Sequence, residues 1–233
     1  MRFVRLISIA CVVGALYCSA CSDISMSGPP GIAKDYVRPK DMVDFWALYY
    51  ENCSACHGRT GQNGPALDLA NPVYQSIVDD ASLKKWITGG MPGTQMPAFG
   101  ESAGGFLTEK QVAALVAGMR SQWAKSNLGA ANAPPYIANL RGDAKSGEEV
   151  YKTACISCHQ KPDEQISNTS YLALVSDQAL RTITIAGRPD LGHPDWRQDR
   201  PGVALTNEEV TNVVAYLASL RSATPGQPYP KPQ

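Results

Sequence analysis

Two short cysteine-containing segments carry most of the chemistry that this sequence can support. Both have the pattern C-x-x-C-H, and they read Cys53-Ser-Ala-Cys56-His57 and Cys155-Ile-Ser-Cys158-His159. Two cysteines at this spacing on a helical turn can each form a thioether to a vinyl group of one haem, and the following imidazole can bind the iron. The sequence therefore predicts two covalent c-type haems, with His57 and His159 as proximal iron ligands.

Paired cysteines have other uses, which the sequence argues against. Structural disulfides are the alternative in an exported protein. Two identical patterns, each followed by one of only three histidines in the chain, favour haem attachment instead. A zinc site would need further paired Cys or His ligands, and the sequence does not contain them. Walker and dinucleotide glycine motifs are also missing, as is a spare Cys/His pair for nucleophilic catalysis.

The second half of the chain repeats the first at an offset of 97 residues. Residues 74–99 align with residues 171–196 without a gap, and the identical pairs are Tyr74/Tyr171, Val78/Val175, Asp80/Asp177, Leu83/Leu180, Gly90/Gly187, Pro92/Pro189 and Pro97/Pro194. Self-similarity of this kind indicates a tandem duplication.

Each half is predicted to begin and end with a helix. The opening helix leads into the C-x-x-C-H segment, and the closing helix begins at a capping-box pattern, Thr108-Glu-Lys-Gln111 or Thr206-Asn-Glu-Glu209. Apolar residues at helical spacing predict which side chains the closing helices bury. These are Val112, Leu115, Val116 and Met119 in the first half and Val210, Val213, Val214 and Leu217 in the second.

With these features, residues 41–123 and 143–221 resemble class I c-type cytochrome domains. The resemblance implies an all-α fold of two tandem domains, each wrapped around one covalent haem with its first and last helices crossing. In that family a Gly eight residues before the first haem cysteine commonly packs against an aromatic residue of the last helix. The second half follows this pattern with Gly147 and Tyr216, whereas Phe45 and Gly118 stand at the matching positions of the first half. We expect large and small side chains to have exchanged places, which keeps the volume at the crossing.

The resemblance also implies a distal ligand from a loop before the last helix, usually a Met followed by Pro. The first half offers two such pairs, and we expect Met96 to be the ligand because Met-Pro-Ala-Phe matches the family motif. Met91 is the alternative, and a third interpretation is that both methionines only pack in the core. Gly64-Pro65 matches the family segment whose carbonyl accepts the N–H of the proximal imidazole.

The second half contains no methionine, and His193 stands at the position that matches Met96. We therefore expect bis-histidine ligation of the second haem by His159 and His193. The alternative is a five-coordinate iron or one bound by water or another side chain. Because a thioether ligand favours ferrous iron, the second haem is expected to have the lower reduction potential.

The N-terminal segment predicts export. Residues 1–20 begin with two arginines, continue through an apolar run and end at small residues, which is typical of a secretory signal. The segment Cys18-Ser-Ala-Cys21 is similar to a bacterial lipoprotein cleavage box, although Cys18 stands where that family usually has Leu. We expect lipidation of Cys21, followed by a flexible tether over residues 21–40, and ordinary cleavage to a soluble protein is the alternative. The mature protein is thus expected in the bacterial periplasm, anchored to the membrane.

Composition narrows the class of function. Lys plus Arg and Asp plus Glu number 21 each, and no basic run is present, which argues against nucleic-acid binding. Residues 124–142 are predicted to be a linker and residues 222–233 an extended tail. The expected function is electron transfer between redox partners, such as a quinol-oxidising complex, a terminal oxidase or a dehydrogenase, without enzymatic activity. The alternatives are a peroxidase-like diheme enzyme with an open second haem and a fixed cytochrome subunit of a respiratory complex.

Overall fold

The computed structural model describes residues 37–124, 132–160, 166–199 and 202–222, and regular secondary structure within these ranges is helical. The first half contains α1 (Phe45–Asn52), α2 (Ser54–His57), α3 (Pro72–Ile77), α4 (Asp80–Gly89) and α5 (Glu109–Trp123). The second half contains α6 (Ala144–Val150), a π-helical turn (Tyr151–Cys155), α7 (Ile156–His159), α8 (Thr169–Leu172), α9 (Asp177–Ala186) and α10 (Asn207–Ser219). The expected all-α fold class is confirmed.

Several predicted segments lie outside the described residues. They are the signal peptide over residues 1–20, the lipidation site Cys21 with residues 22–36 of the tether, residues 125–131 of the linker, and residues 223–233 of the tail. The described residues of both halves belong to one compact unit that begins at Pro39.

The closing helices begin and pack as predicted. Thr108 and Thr206 each complete a capping box with the residue three positions later. All eight apolar residues predicted to be buried on α5 and α10 are at most 8% exposed. Burial of this stripe supplies most of the free energy that holds a short helix in place, since isolated helices of this length are marginal in water.

The opening and closing helices of each half meet at a glycine, but on opposite sides of the contact. In the first half the glycine is on the closing helix, where a Cβ on Gly118 would lie 2.1 Å from the ring of Phe45. In the second half it is on the opening helix, where a Cβ on Gly147 would lie 1.9 Å from the carbonyl oxygen of Asn212 and 2.9 Å from the Cβ of Tyr216. The predicted exchange of large and small residues is confirmed.

An arginine at the end of each half ties the closing helix to the two shorter helices before it. In the first half Arg120 of α5 donates to the backbone of Gln75 and Val78 and to the carboxylate of Asp80. In the second half Arg221, which follows α10, donates to the backbone of Leu172 and Val175 and to the carboxylate of Asp177. The acceptors match at the repeat offset of 97, whereas the arginines are 101 residues apart. The two halves therefore make the same contact from different positions on their closing segments.

The described part of the predicted linker is packed against both halves. Tyr136 is 5% exposed, and its ring centroid lies 6.2 Å from that of Tyr74 in α3. Arg181 of α9 donates to the carbonyl oxygens of Pro135 and Tyr136 at 2.7 and 3.2 Å. The connection therefore helps to hold the halves together.

Candidate haem sites

Both C-x-x-C-H segments have the same local backbone. Cys53 interrupts the helix of the first half, whereas Cys155 is the last residue of a π-helical turn that continues into α7. Their φ and ψ are nevertheless similar, −120° and −35° at Cys53 and −113° and −37° at Cys155. A four-residue helix that ends at the histidine then follows. None of the four cysteines forms a disulfide; Cys56 and Cys158 are exposed, whereas Cys53 and Cys155 are half-buried. The thiols are thus available for covalent attachment, and the alternative of structural disulfides finds no support.

The imidazole of His57 is oriented by a backbone carbonyl. Its Nδ1 donates to the carbonyl oxygen of Leu67 at 2.8 Å, which leaves Nε2 for a metal. Burial lowers the pKa of His57, the hydrogen bond to Leu67 opposes this, and the charge of Arg188 lowers the pKa further. A neutral imidazole is the form that binds iron.

The expectation that Gly64-Pro65 supplies this carbonyl was wrong. Gly64 lies directly against the haem-binding segment, where a Cβ would come within 2.3 Å of the Cys56 carbonyl oxygen and 2.7 Å of the His57 carbonyl carbon. Its own carbonyl accepts a hydrogen bond from Arg188 of the second half at 2.9 Å. The glycine therefore permits a close backbone approach, and the acceptor for His57 comes three residues later, from Leu67.

The loops that carry Met96 and His193 have the same geometry. The backbone N–H of Met91 donates to the Met96 carbonyl at 3.1 Å, and the backbone N–H of Arg188 donates to the His193 carbonyl at 3.0 Å. The glycine before each loop has a positive φ, 67° in the first half and 70° in the second. A side chain there would also strike the carbonyl oxygen of Met96 or of His193, at 2.8 or 2.7 Å. The two residues predicted as distal ligands thus occupy equivalent positions.

His159 and His193 face each other across a short gap. Their ring centroids are 5.8 Å apart, with the ring planes inclined by 37°. Two bonds of about 2.1 Å between a metal and an imidazole nitrogen would place the ring centroids about 6.4 Å apart. The two rings lie close to that spacing and would separate slightly around an iron. The Nδ1 atom of His193 is buried without a hydrogen-bond partner. Burial lowers the pKa of His193, as do the neighbouring His159 and Arg188. This pair fits a metal ion held between two imidazoles.

The two methionines in the first-half loop, Met91 and Met96, differ in their contacts. The Oγ of Ser176, at the start of α9 in the second half, lies 2.9 Å from the Sδ of Met91 and donates to it. Met96 is half-buried, and its backbone N–H donates to the hydroxyl of Thr94 in the same loop. The Met91 thioether is thus engaged with the other half.

An ion pair joins the first C-x-x-C-H region to the loop that carries His193. Arg188 donates to both carboxylate oxygens of Asp190, at 2.8 and 2.7 Å, as well as to the Gly64 carbonyl. Asp190 also accepts from the backbone N–H of Asn63 at 2.9 Å. Nearby, the side chain of Asn71 donates to a backbone carbonyl at the end of α9 at 2.7 Å. Sequence reasoning missed these residues because the contacts that they make between the halves join positions more than 100 residues apart, which leaves no local signal.

The donor set as a whole fits covalent haem. Each half offers two free thiols and a half-buried imidazole on one turn of helix, and the second half adds an opposing imidazole. Across the ranges that the structure covers, no group of three or more His, Cys, Asp or Glu side chains could hold a different metal ion. Within the same ranges, no helix is both long enough and apolar enough to span a bilayer.

Comparison with known proteins gives a consistent assignment. A family model described as cytochrome c oxidase, cbb3-type, subunit III matches residues 40–117 and 142–217. The Cbb3-type cytochrome c oxidase subunit CcoP of Azospirillum sp. (strain B510) is 31% identical over an alignment of 197 residues, and the match covers 75% of this chain and 55% of that protein. The chain thus spans about half the length of this curated relative.

Among solved structures, a chain of the Kuenenia stuttgartiensis reducing HAO-like protein complex aligns with a TM-score of 0.44 and 16% identity, over 80% of this chain and 98% of that one. The comparisons give no support to a peroxidase. The family model covers most of both halves, and the chain therefore belongs to the family of cbb3-type cytochrome c oxidase subunit III, as an electron-transfer cytochrome of the c type.

Proposed function

We propose that this protein is a diheme cytochrome that passes single electrons through two covalent haems, one in residues 41–123 and one in residues 143–221. The observation that carries the proposal is the repetition of one local geometry, with two C-x-x-C-H turns of matching backbone and two matching distal loops. Covalent haem supplies a one-electron ferric/ferrous couple when bound. The protein's part is to fix the axial ligands, exclude water and set the potentials.

The first haem is held by thioethers to Cys53 and Cys56, with His57 and Met96 as axial ligands. The hydrogen bond from His57 to Leu67 fixes the ring and directs Nε2 at the iron. Met96 is preferred over Met91 because the Met91 thioether already accepts from Ser176.

The second haem is held by Cys155 and Cys158, with His159 and His193 as axial ligands. The 5.8 Å separation of the two rings supports this ligation. Because an imidazole favours ferric iron more than a thioether does, the second haem has the lower potential of the two. Electrons at equilibrium therefore collect on the first haem.

Haem counting and ligand spectroscopy test this proposal. The protein is produced with a cytochrome c maturation system, and its mass is compared with that of two variants, Cys53→Ala/Cys56→Ala and Cys155→Ala/Cys158→Ala. We expect two covalent haems in the wild type and one in each variant. Low-temperature EPR with near-infrared magnetic circular dichroism should then show two low-spin species, one with a Met charge-transfer band and one with two imidazoles. A high-spin second haem that binds cyanide quickly would contradict the ligand assignment for His193.

The partner that we propose is a membrane-bound terminal oxidase, in which this chain acts as a fixed cytochrome subunit. The support is the name of the relative, a subunit of a cbb3-type oxidase, together with the family match. Affinity purification of the tagged protein from its native membrane tests this. Recovery of oxidase subunits in a constant ratio supports a fixed subunit, whereas recovery of the cytochrome alone indicates a mobile carrier.

We also propose export to the periplasm and membrane attachment through a lipid on Cys21. The support is the sequence of residues 1–21. Mass spectrometry of the N-terminal peptide tests it, with Cys21→Ser as the variant. A diacylglycerol-modified cysteine at the mature N-terminus is the expected result, and an unmodified peptide would indicate ordinary signal cleavage.

A further inference from the structure

One set of contacts between the halves joins the regions of the two proposed metal centres. Arg188 forms two backbone hydrogen bonds with His193, since its N–H donates to the His193 carbonyl at 3.0 Å and its carbonyl accepts from the His193 N–H at 2.9 Å. Its guanidinium meanwhile reaches Gly64, whose backbone packs on the Cys56–His57 peptide. One residue thus connects the distal loop of the second centre to the proximal loop of the first.

The charge of Arg188 is buried and pairs directly with the carboxylate of Asp190, and the carboxylate of Asp68 lies nearby. The side chains of Arg188 and Asp190 are 8% and 2% exposed, and they pair through a two-pronged hydrogen bond. Asp190 is fixed in turn by the backbone N–H of Asn63. Because water and salt screen a buried charge poorly, each member of the pair acts on its surroundings over several ångströms. Arg188 bonds the backbone of His193 in one half and the carbonyl of Gly64, which packs on the His57 peptide, in the other, so the ion pair lies beside a proposed iron ligand of each half.

We propose that Arg188, balanced by Asp190, is a positioning residue for electron transfer that tunes the reduction potentials of both haems together. Reduction adds one electron to an iron centre and makes it less positive. A nearby cation therefore favours the reduced form and raises the potential, and a nearby anion lowers it. The ion pair keeps these two influences nearly balanced while its hydrogen bonds hold the two ligand loops in register. The inference rests on the proposed pair of haems.

Charge variants of the two partners give opposite predictions. Arg188→Gln leaves Asp190 unpaired, and we expect both midpoint potentials to fall. Asp190→Asn leaves Arg188 unpaired, and we expect both to rise. The double variant removes both charges, so its potentials should return towards those of the wild type. A purely structural role predicts something else, because a loosened boundary admits water at both centres and moves the potentials in the same direction in all three variants.

Spectroelectrochemical titration of the full-length, haem-loaded protein measures both potentials, and each wave is assigned by magnetic circular dichroism. Lys84→Gln is the matched control, because it breaks an exposed ion pair with Glu109 on the first half and should leave both potentials unchanged. Arg188→Lys keeps the charge without the planar fork, and it provides a second variant if Arg188→Gln fails to load haem. We expect Arg188→Lys to retain potentials close to those of the wild type.

Opposite shifts at both haems in the two single variants support the inference. Shifts of the same sign in both variants, or shifts confined to one haem, overturn it. A wild-type protein with one covalent haem would instead refute the proposed function. The haem count therefore distinguishes failure of the proposed function from failure of the tuning role of Arg188. Asp190→Asn retains the Arg188 contact with Gly64, so an unchanged potential in this variant alone is sufficient to overturn the tuning role.

Discussion

In both halves the loop before the closing helix starts at a glycine of positive φ and is closed by a hydrogen bond across five residues. The first half places Met96 in this loop and the second places His193. The opening helices differ in the same manner, since bulky Phe45 faces Gly118 in one half and Gly147 faces bulky Tyr216 in the other. The backbone geometry is thus retained while the side chains within it have changed, and under the proposed ligation one scaffold would hold two centres of different potential.

The backbone geometry that the two halves share is supported by equivalent contacts around each loop. The Arg120 and Arg221 clamps bind matching carbonyls from non-matching positions. The fold requires a guanidinium that donates to the helix-end carbonyls of each half. Which sequence position supplies that guanidinium matters less. A comparison of the two halves can therefore separate contacts that depend on geometry from those that depend on residue identity.

The crossing of α1 with α5 should give the largest effect. Phe45→Gly removes a ring that packs against Trp46, Tyr49 and Trp123, and we expect a loss of about 4 kcal/mol from the cavity and from a glycine in a helix. Gly118→Tyr forces a side chain into the Phe45 ring and should cost about 3 kcal/mol. Guanidinium unfolding of both single variants and of the double variant measures the coupling.

The double variant should recover at least about 2 kcal/mol of the summed losses, because its residues reproduce the arrangement in the second half. The reverse exchange, Gly147→Phe with Tyr216→Gly, is the matched cycle in the other half. Additive losses in both cycles would show that the two arrangements are not interchangeable and would remove this part of the comparison.

Exchanging the distal ligands should reverse the order of the two potentials. We expect His193→Met to raise the potential of the second haem and Met96→His to lower that of the first. Each shift should be on the order of 0.1 V, a fraction of the range of roughly 0.8 V over which iron ligands set haem potentials. Spectroelectrochemistry of each variant measures the shift. Met91→Leu is the control and should preserve the Met charge-transfer band; loss of that band would identify Met91 as the ligand.

A buried carboxyl group, that of Asp68, gives the first half a pH dependence at a position where the second half has no ionisable side chain. Asp68 is 2% exposed, and burial together with nearby Asp190 raises its pKa to about 6, against the opposing charge of Arg188. Asp68 lies three residues before Asn71, which caps the next helix. The residue at the same distance before the matching cap of the second half is Gln165, whose side chain does not ionise. The native protein therefore binds more protons than the unfolded chain at Asp68, whose unfolded pKa is about 3.9.

Stability should consequently fall as the pH rises from about 4 through about 6. Asp68→Asn removes this dependence, and we expect it to gain about 1 to 3 kcal/mol over the wild type at pH 8 but little at pH 4. Guanidinium unfolding of both proteins at the two pH values measures the difference. A difference that is the same at pH 4 and pH 8 would exclude ionisation of Asp68 as its cause.

Features encoded by local pattern were predictable from the sequence. The capping boxes and the buried stripes of α5 and α10 follow from helical spacing, and the exchange of large and small residues between the halves follows from the resemblance to class I c-type cytochromes together with the repeat. The match of Met96 with His193 follows from the ungapped alignment. Each of these depends only on residues within one half, or on a comparison between equivalent positions.

Contacts across the boundary were not predictable. Arg188 reaches Gly64, and Ser176 reaches Met91, only because the halves pack together. The carbonyl that orients His57 was predicted at the wrong residue for a related reason. Gly64 turns its carbonyl towards the second half, so the acceptor for the imidazole is supplied by Leu67 instead. Non-local packing thus determined the details that motif spacing left open.

Removal of the threonine caps of α5 and α10 should give the smallest effect, and the loss of stability should be equal in the two halves. Thr108 accepts from the Gln111 N–H at 3.3 Å, and Thr206 accepts from the Glu209 N–H at 3.1 Å, while each partner side chain accepts in return from the threonine N–H. Thr108→Ala and Thr206→Ala each remove one cap, and each should cost about 1 kcal/mol in guanidinium unfolding. Equal losses indicate that both closing helices depend on their caps to the same degree. A loss of stability in one half that exceeds the loss in the other by more than about 1 kcal/mol would contradict this expectation. It would mean that the two closing helices do not depend equally on their caps, because packing beneath one cap compensates for the removal of its threonine.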